Sequence, residues 1–232
     1  MSSSDLQPSE LGTKEYWDQV YEEEVNNFEE FQDEGEVWFG LESVEKMVDW
    51  VVKNVPAETK PYCLDIGAGN GILSIALAEK GYDASRVAGI DYSADSVRLA
   101  RLVATQRGAP GLVFAQCDFI HDVPTPIPDI PAEGGWDLLL DKGTFDAIAL
   151  ADRNPDGSAP CDEYPPKVAL LLKPGGYFLI TSCNFTEGEL RAKFETESSG
   201  LTYHSKVEHP TFTFGGKSGS VVCTVAFKRR EG

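Results

Sequence analysis

The sequence predicts an α/β fold: a doubly wound sheet of seven strands, five parallel and then an antiparallel C-terminal hairpin, behind an N-terminal helical arm. Three observations lead there. Beyond residue 62, short apolar runs alternate with segments of helical period, which calls for right-handed crossovers and a parallel sheet covered on both faces. A glycine-rich turn joins the first of these runs to its helix. The last two runs have no helix between them, so they must be antiparallel neighbours.

Taken in order, residues 1–13 read as a flexible tail and 14–56 as an arm, with twelve acids and no base between Lys14 and Lys46. Solvated charge alone has no use for Tyr16, Trp17, Tyr21, Phe28, Phe31, Trp38 and Phe39. The arm therefore reads as helical pieces with their aromatics turned inward. Val44, Met47, Val48, Val51, Val52 and Val55 recur at helical spacing, with Ser43 placed as an N-cap. The remainder, 57–230, opens with the strand "YCLDIG", a glycine turn, and a helix carrying Ile72, Leu73, Ile75, Ala76 and Leu77. "RVAGIDY" (86–92), "GLVFAQCD" (111–118), "WDLLLD" (136–141) and "GGYFLITS" (175–182) are the next strands, and Ser93 can cap the helix after the first of them. Helices are expected around 160–172 and 186–198, and "LTYHSKVEH" with "SVVCTVAFKR" supplies the hairpin across a glycine loop. There is no internal repeat and no second core, so the chain is one domain with an arm.

Composition narrows the function. A net charge of −18 and a pI near 4.5 argue against direct nucleic-acid binding, which needs Lys and Arg on the contact face. Such acidity serves either solubility or the steering of a basic protein partner. Five cysteines without a C-x-x-C and three histidines without helical pairing predict no metal site. Reduced thiols point to the cytoplasm or nucleus. The start lacks an apolar signal core and no run is long enough to span a bilayer, so no membrane association is expected. A monomer is the expected state.

Four acids, Asp65, Asp91, Asp118 and Asp141, fall at successive strand ends, on the edge where open α/β sheets bind ligands. Each could also be a simple strand-end cap. In "LDIGAGNG" (64–71), Gly67, Gly69 and Gly71 let the backbone turn tightly and approach a ligand, with Asn70 among them. A bare tight turn would look the same. Asp91, twenty residues past Gly71 and followed by Tyr92, can accept both hydroxyls of a ribose in an NAD or an S-adenosylmethionine site; the hairpin ending and "LKPGG" favour the second. Asp118 is placed for an adenine amino group with Phe119 beside the ring, and Asp65 for the amino group of the methionine part.

The order "LDIGAGNG … GIDYS … QCDF … DLLLDKGTFDAI … LKPGGYFLITSCNFT" resembles the seven-strand, Rossmann-like S-adenosylmethionine-dependent methyltransferases. "YW…Y", "EVWFG", "LDKGTFD" and "SCNFT" resemble, within them, the family that methylates lysine on translation elongation factor 1-alpha, over nearly the whole chain. The resemblance implies S-adenosylmethionine as cofactor, that factor as protein partner, and the end of the fourth strand as the place the methyl faces. Asp141 is then the first choice to orient the target amine, with Thr144 as a supporting acceptor and Asn184 helping to shape the pocket. Lys142 reads alternatively as a clasp paired with Asp141 or Asp146. Trp38 and Tyr16 read either as a lid over the cofactor or as packing for the arm. D-K-G-T in place of D/N-P-P-F/Y argues against nucleobase or glutamine substrates. A small-molecule methyltransferase and a non-catalytic binding module are the competing readings. The insert "TPIPDIPAEGG" and the loop 151–166 align with no role.

Overall fold

The computed structural model describes residues 6–128, 130–197, 199–210, 212–214, 217–219 and 221–231. Five apolar runs form parallel strands: β1 (Cys63–Ile66), β2 (Val87–Asp91), β3 (Val113–Gln116), β4 (Trp136–Lys142) and β5 (Leu172–Ser182). β6 (Leu201–Val207) is followed by a ribbon of β7 (Phe212–Phe214) and β8 (Lys217–Gly219), then by β9 (Cys223–Arg229). β9 runs antiparallel to both β5 and β6, giving the order β3-β2-β1-β4-β5-β9-β6. The predicted sheet is present, and the connection expected to be a glycine loop holds a ribbon of its own.

Strand alternation sorts the core into two layers. On one face Cys63, Leu138, Leu140, Leu179 and Ala226 meet α1 (Lys14–Phe31), α2 (Gly40–Asn54), α3 (Ile72–Glu79) and α4 (Ala94–Gln106). On the other, Leu64, Ile66, Leu139, Phe178, Ile180 and Phe227 meet α5 (Thr144–Ala149), α6 (Tyr164–Leu171) and α7 (Glu187–Phe194). The three leucines of β4 thus serve both faces, as a central strand requires.

The arm belongs to the first layer and is no appendage. Thr13 caps α1 by accepting from the Tyr16 N–H (3.3 Å), and Trp17, Tyr21, Val25 and Phe28 form its buried stripe. That stripe shares one core cluster with α2, α3 and α4. Arg98 of α4 pairs with Glu29, and Arg107 with Glu34, so part of the arm's acidity is neutralised within the fold.

Three local expectations are corrected. Residues 1–5 of the predicted tail lie outside the described residues, but 6–13 are held: Ser9 N–H donates to the Leu150 carbonyl (3.1 Å), and Leu6 and Leu11 pack on the core. Ser43 is no N-cap, because the αL conformation of Phe39 (φ 64°) starts α2 three residues before it, at Gly40. Ser93 makes no capping bond with its side chain; its N–H donates to Asp91 instead (3.0 Å).

Candidate active site

The strand order reverses between β1 and β4, and a crevice opens at their C-terminal ends. There a cavity of about 300 Å³ is walled by the glycine turn after β1, the ends of β2 and β4, the segment 117–121, α5, and the arm. Its lining carries Gly67, Gly69, Asn70, Asp91, Tyr92, Asp118, Phe119, Lys142, Thr144 and Trp38.

The glycine turn is shaped by close approach. Gly67 sits at φ +65°, and a Cβ there would lie 2.0 Å from Thr144 Oγ1. Thr144 Oγ1 itself donates to the Ile66 carbonyl (2.7 Å), stitching the turn to α5. Gly69 sits at φ +55° under the Tyr21 hydroxyl, and its N–H donates to Asp91 (3.1 Å). Asn70 donates to the carbonyls of Glu34 and Glu36 (3.0 and 3.2 Å), fastening the arm to the turn. Gly71 lies off the cavity wall. A Cβ there would strike Phe114 and Ala100, so this glycine serves helix–sheet packing.

Asp91 is buried on the wall and accepts from the backbone N–H groups of Gly69 and Ser93, with the Ser96 hydroxyl also beside it, and a carboxylate's further lone pairs remain for a ligand's hydroxyls. Burial raises its pKa, and those two bonds oppose the rise. Asp118 accepts from the N–H groups of Ile120 and His121 and from the His121 ring (2.9 Å); these bonds outweigh its burial and hold its pKa below the ordinary value. Tyr92 donates to the Thr13 carbonyl (3.3 Å), and Phe119 packs on Tyr164.

Several expected site residues are placed elsewhere. Asp141 is fully buried beneath the cavity, with one oxygen accepting from Thr144 N–H (3.0 Å) and the other from Phe145 N–H (3.0 Å) and the Tyr164 hydroxyl. It satisfies the first turn of α5, whose N–H groups have no partner within the helix. Burial pushes its pKa up to about 7 against the bond from Tyr164. Asp65 is also off the wall, accepting from Ser74 (2.9 Å), with its pKa raised by burial to about 6. Asn184 does not reach the wall. Its N–H joins the Ser182 hydroxyl, which in turn donates to Asp146. Lys142 is not clasped to Asp141 or Asp146: among the described residues it has no carboxylate within ion-pair distance, and it donates to the Trp38 carbonyl (3.1 Å). Burial lowers its pKa, opposed by Asp65 and Asp141.

Trp38 is on the wall, while Tyr16 is behind it, edge-on to Trp17. Trp17, Tyr21, Glu36 and Lys142 are cavity residues that sequence reasoning did not assign. The four-residue spacing of Trp17 and Tyr21 was the available signal for the first pair.

A family model described as "Methyltransferase domain" matches residues 60–221. Protein-lysine N-methyltransferase efm4 of Schizosaccharomyces pombe is 42% identical over 97% of this chain and 96% of its own length. The chain belongs to this methyltransferase family. EEF1A lysine methyltransferase 2 of Mus musculus is another such relative, 36% identical over 99% of this chain and 88% of its own. At the level of fold alone, the crystal structure of the [4+2]-cyclase SpnF matches with a TM-score of 0.64 at 12% identity, over 98% of each chain.

S-adenosylmethionine is the methyl donor of the family, and the wall fits it. The left-handed glycines form a cradle that a Cβ would fill, Asp91 keeps acceptor capacity, and Phe119, Ile148, Trp17 and Trp38 offer apolar faces.

Proposed function

We propose that this chain transfers methyl groups from S-adenosylmethionine to a lysine of translation elongation factor 1-alpha. The observation that carries the reading is that the match to efm4 extends over 97% of the chain and so includes the arm. The arm supplies Trp17, Tyr21, Glu36 and Trp38 to the cavity, so the shared length covers the cavity's roof as well as its glycine turn.

In this reading Asp91 accepts the ribose hydroxyls. Gly67 and Gly69 give backbone access, Tyr92, Asp118 and Phe119 bound the adenine end, and Trp38 covers the cavity from the arm. The bound cofactor supplies an electrophilic methyl on a sulfonium. The chain's part is to hold a lysine amine in line with it, and to do so with the amine uncharged. With a reference pKa near 10.4, lysine is neutral in only about one molecule in ~2500 at pH 7, a deficit of roughly 4–5 kcal/mol. Burial beside the rings of Trp17, Tyr21 and Trp38 disfavours the charged form and offsets part of that deficit. Thr144, on the wall at the head of α5, has its hydroxyl proton held by the Ile66 carbonyl, which leaves its oxygen as an acceptor.

The partner is a folded protein with basic surface around its lysine, and the exposed acids of α1, among them Glu22, Glu23 and Glu30, supply a one-signed field that draws it. The test is incubation of purified elongation factor with enzyme and labelled cofactor, followed by mass spectrometry of the factor from cells with and without the gene. Label on one lysine of the factor, absent when the gene is deleted, is expected. A labelled small molecule, or no label at all, overturns the reading.

A further inference from the structure

Four of the acids near this edge are already engaged. Asp65 faces Ser74, Asp141 lies under α5 with both oxygens taken, Asp91 is bound to the glycine turn, and Asp118 is wrapped by its own loop and His121. One carboxylate on the cavity wall is different. Glu36 makes no side-chain hydrogen bond or ion pair with any described residue, yet it lines the cavity beside Trp38. Its backbone is pinned from two sides: its N–H donates to Glu24 (2.8 Å), and its carbonyl accepts from Asn70 (3.2 Å). The preceding Glu34 is anchored too, by its carbonyl to Asn70 and by its carboxylate to Arg107. Gly35 between them holds φ +82°, with Glu24 packed where a side chain would go. The backbone under this exposed side chain is held at the cavity's edge, so its carboxylate stays within a side chain's length of it.

The geometry points to Glu36 as the carboxylate that receives the target lysine, a role that rests on the methyltransferase reading above. The lysine arrives as an ammonium, past a wall that also carries the rings of Trp17, Tyr21 and Trp38 and the cations Lys142 and Lys14, the latter paired with Asp18. The cations repel it, and Glu36 is the one carboxylate on the wall without a side-chain partner among the described residues, so it can bind the ammonium's N–H groups and aim it inward. Glu36 stands exposed at the rim, so the proton the ammonium must lose passes to bulk water there. The lone pair then forms the N–CH3 bond while the S–CH3 bond breaks, its electron pair staying on sulfur. The products are a methylated lysine and S-adenosylhomocysteine.

Replacing Glu36 with Gln tests this, because the side chain keeps its shape and the backbone anchors are untouched. In E36Q, kcat/KM for intact elongation factor is expected to fall about ten- to a hundredfold, the worth of a lost charge-assisted hydrogen bond. Binding of the factor to enzyme loaded with S-adenosylhomocysteine is expected to weaken in parallel, with cofactor affinity by calorimetry unchanged within about twofold. E36D should recover part of the loss, since it restores the charge. If wild type methylates the factor and E36Q keeps its kcat/KM, the assignment to Glu36 is wrong. It is equally wrong if E36Q loses cofactor affinity as much as turnover, for then the residue only shapes the cavity. If wild type itself methylates no lysine, it is the methyltransferase reading that fails.

Discussion

Asp141 was expected at the mouth of the pocket and is found under its floor, so its truncation should read out in stability before it reads out in chemistry. Asp141→Ala strands the N–H groups of Thr144 and Phe145 and the hydroxyl of Tyr164. A buried donor left without a partner costs about 1–3 kcal/mol. Thr144 is only partly buried, so its N–H is the easiest of the three for water to reach, and Phe145 and Tyr164 carry most of the loss. Removing a carboxyl whose ionisation burial already opposes returns part of it. The balance is a destabilisation of about 2–4 kcal/mol, set mainly by those two buried donors. For a domain of this size that is a fall in Tm of roughly 5–15 °C. Asp141→Asn, which keeps one acceptor and the shape, should lose about half as much. Thermal and urea unfolding of the three proteins, with cofactor calorimetry alongside, decides it. An Ala variant that melts with wild type but no longer turns over would refute the capping role and return Asp141 to the chemistry.

Other outcomes follow from the same geometry. Burial raises Asp141 to about 7 and Asp65 to about 6, above the ordinary value near 3.9, so the folded chain binds these protons more tightly than the unfolded one. Their contribution to stability is therefore full below about pH 4 and is lost as pH rises through about 6 to 7. Urea midpoints between pH 4.5 and 7.5 should fall less steeply in D65N and D141N than in wild type, and an unchanged slope would contradict this. Asp91→Ala should stay folded yet lose about 1.5–3 kcal/mol of cofactor affinity by calorimetry, the worth of a charged hydrogen-bond acceptor; wild-type affinity would remove it from the site. Activity on intact elongation factor should drop with salt through kcat/KM, as the screening length shortens from roughly 30 Å at 0.01 M to about 8 Å at 0.15 M. Neutralising Glu22, Glu23 and Glu30, which are exposed, should flatten that dependence without touching Glu29, which holds Arg98. A salt-independent rate would reduce the arm to a solubility device.

The sequence by itself determined the strand–helix rhythm, the glycine turn, the antiparallel ending and the place of Asp91. Each of these is written in short-range spacing and local backbone demands. What it left open was which face each side chain at the sheet's edge would take. Along β4 the side chains alternate, so Asp141 follows Leu139 into the layer of α5 and α6, while Lys142 follows Leu140 toward the arm. Both lie at the strand end that sequence marked as functional, but only one faces the cavity. Nothing in the local pattern says which face is roofed until the arm has been laid on it. The same holds for the roof. Trp17 and Tyr21 look like any buried stripe of an amphipathic helix, and Glu36 like any acid in an acidic run. Asn70, Glu24 and Arg107 bring that run down over the glycine turn through contacts 12 to 73 residues apart in the chain. Pairings that distant are set by the packing of whole elements, and so only the tertiary structure could decide which arm residues reach the site.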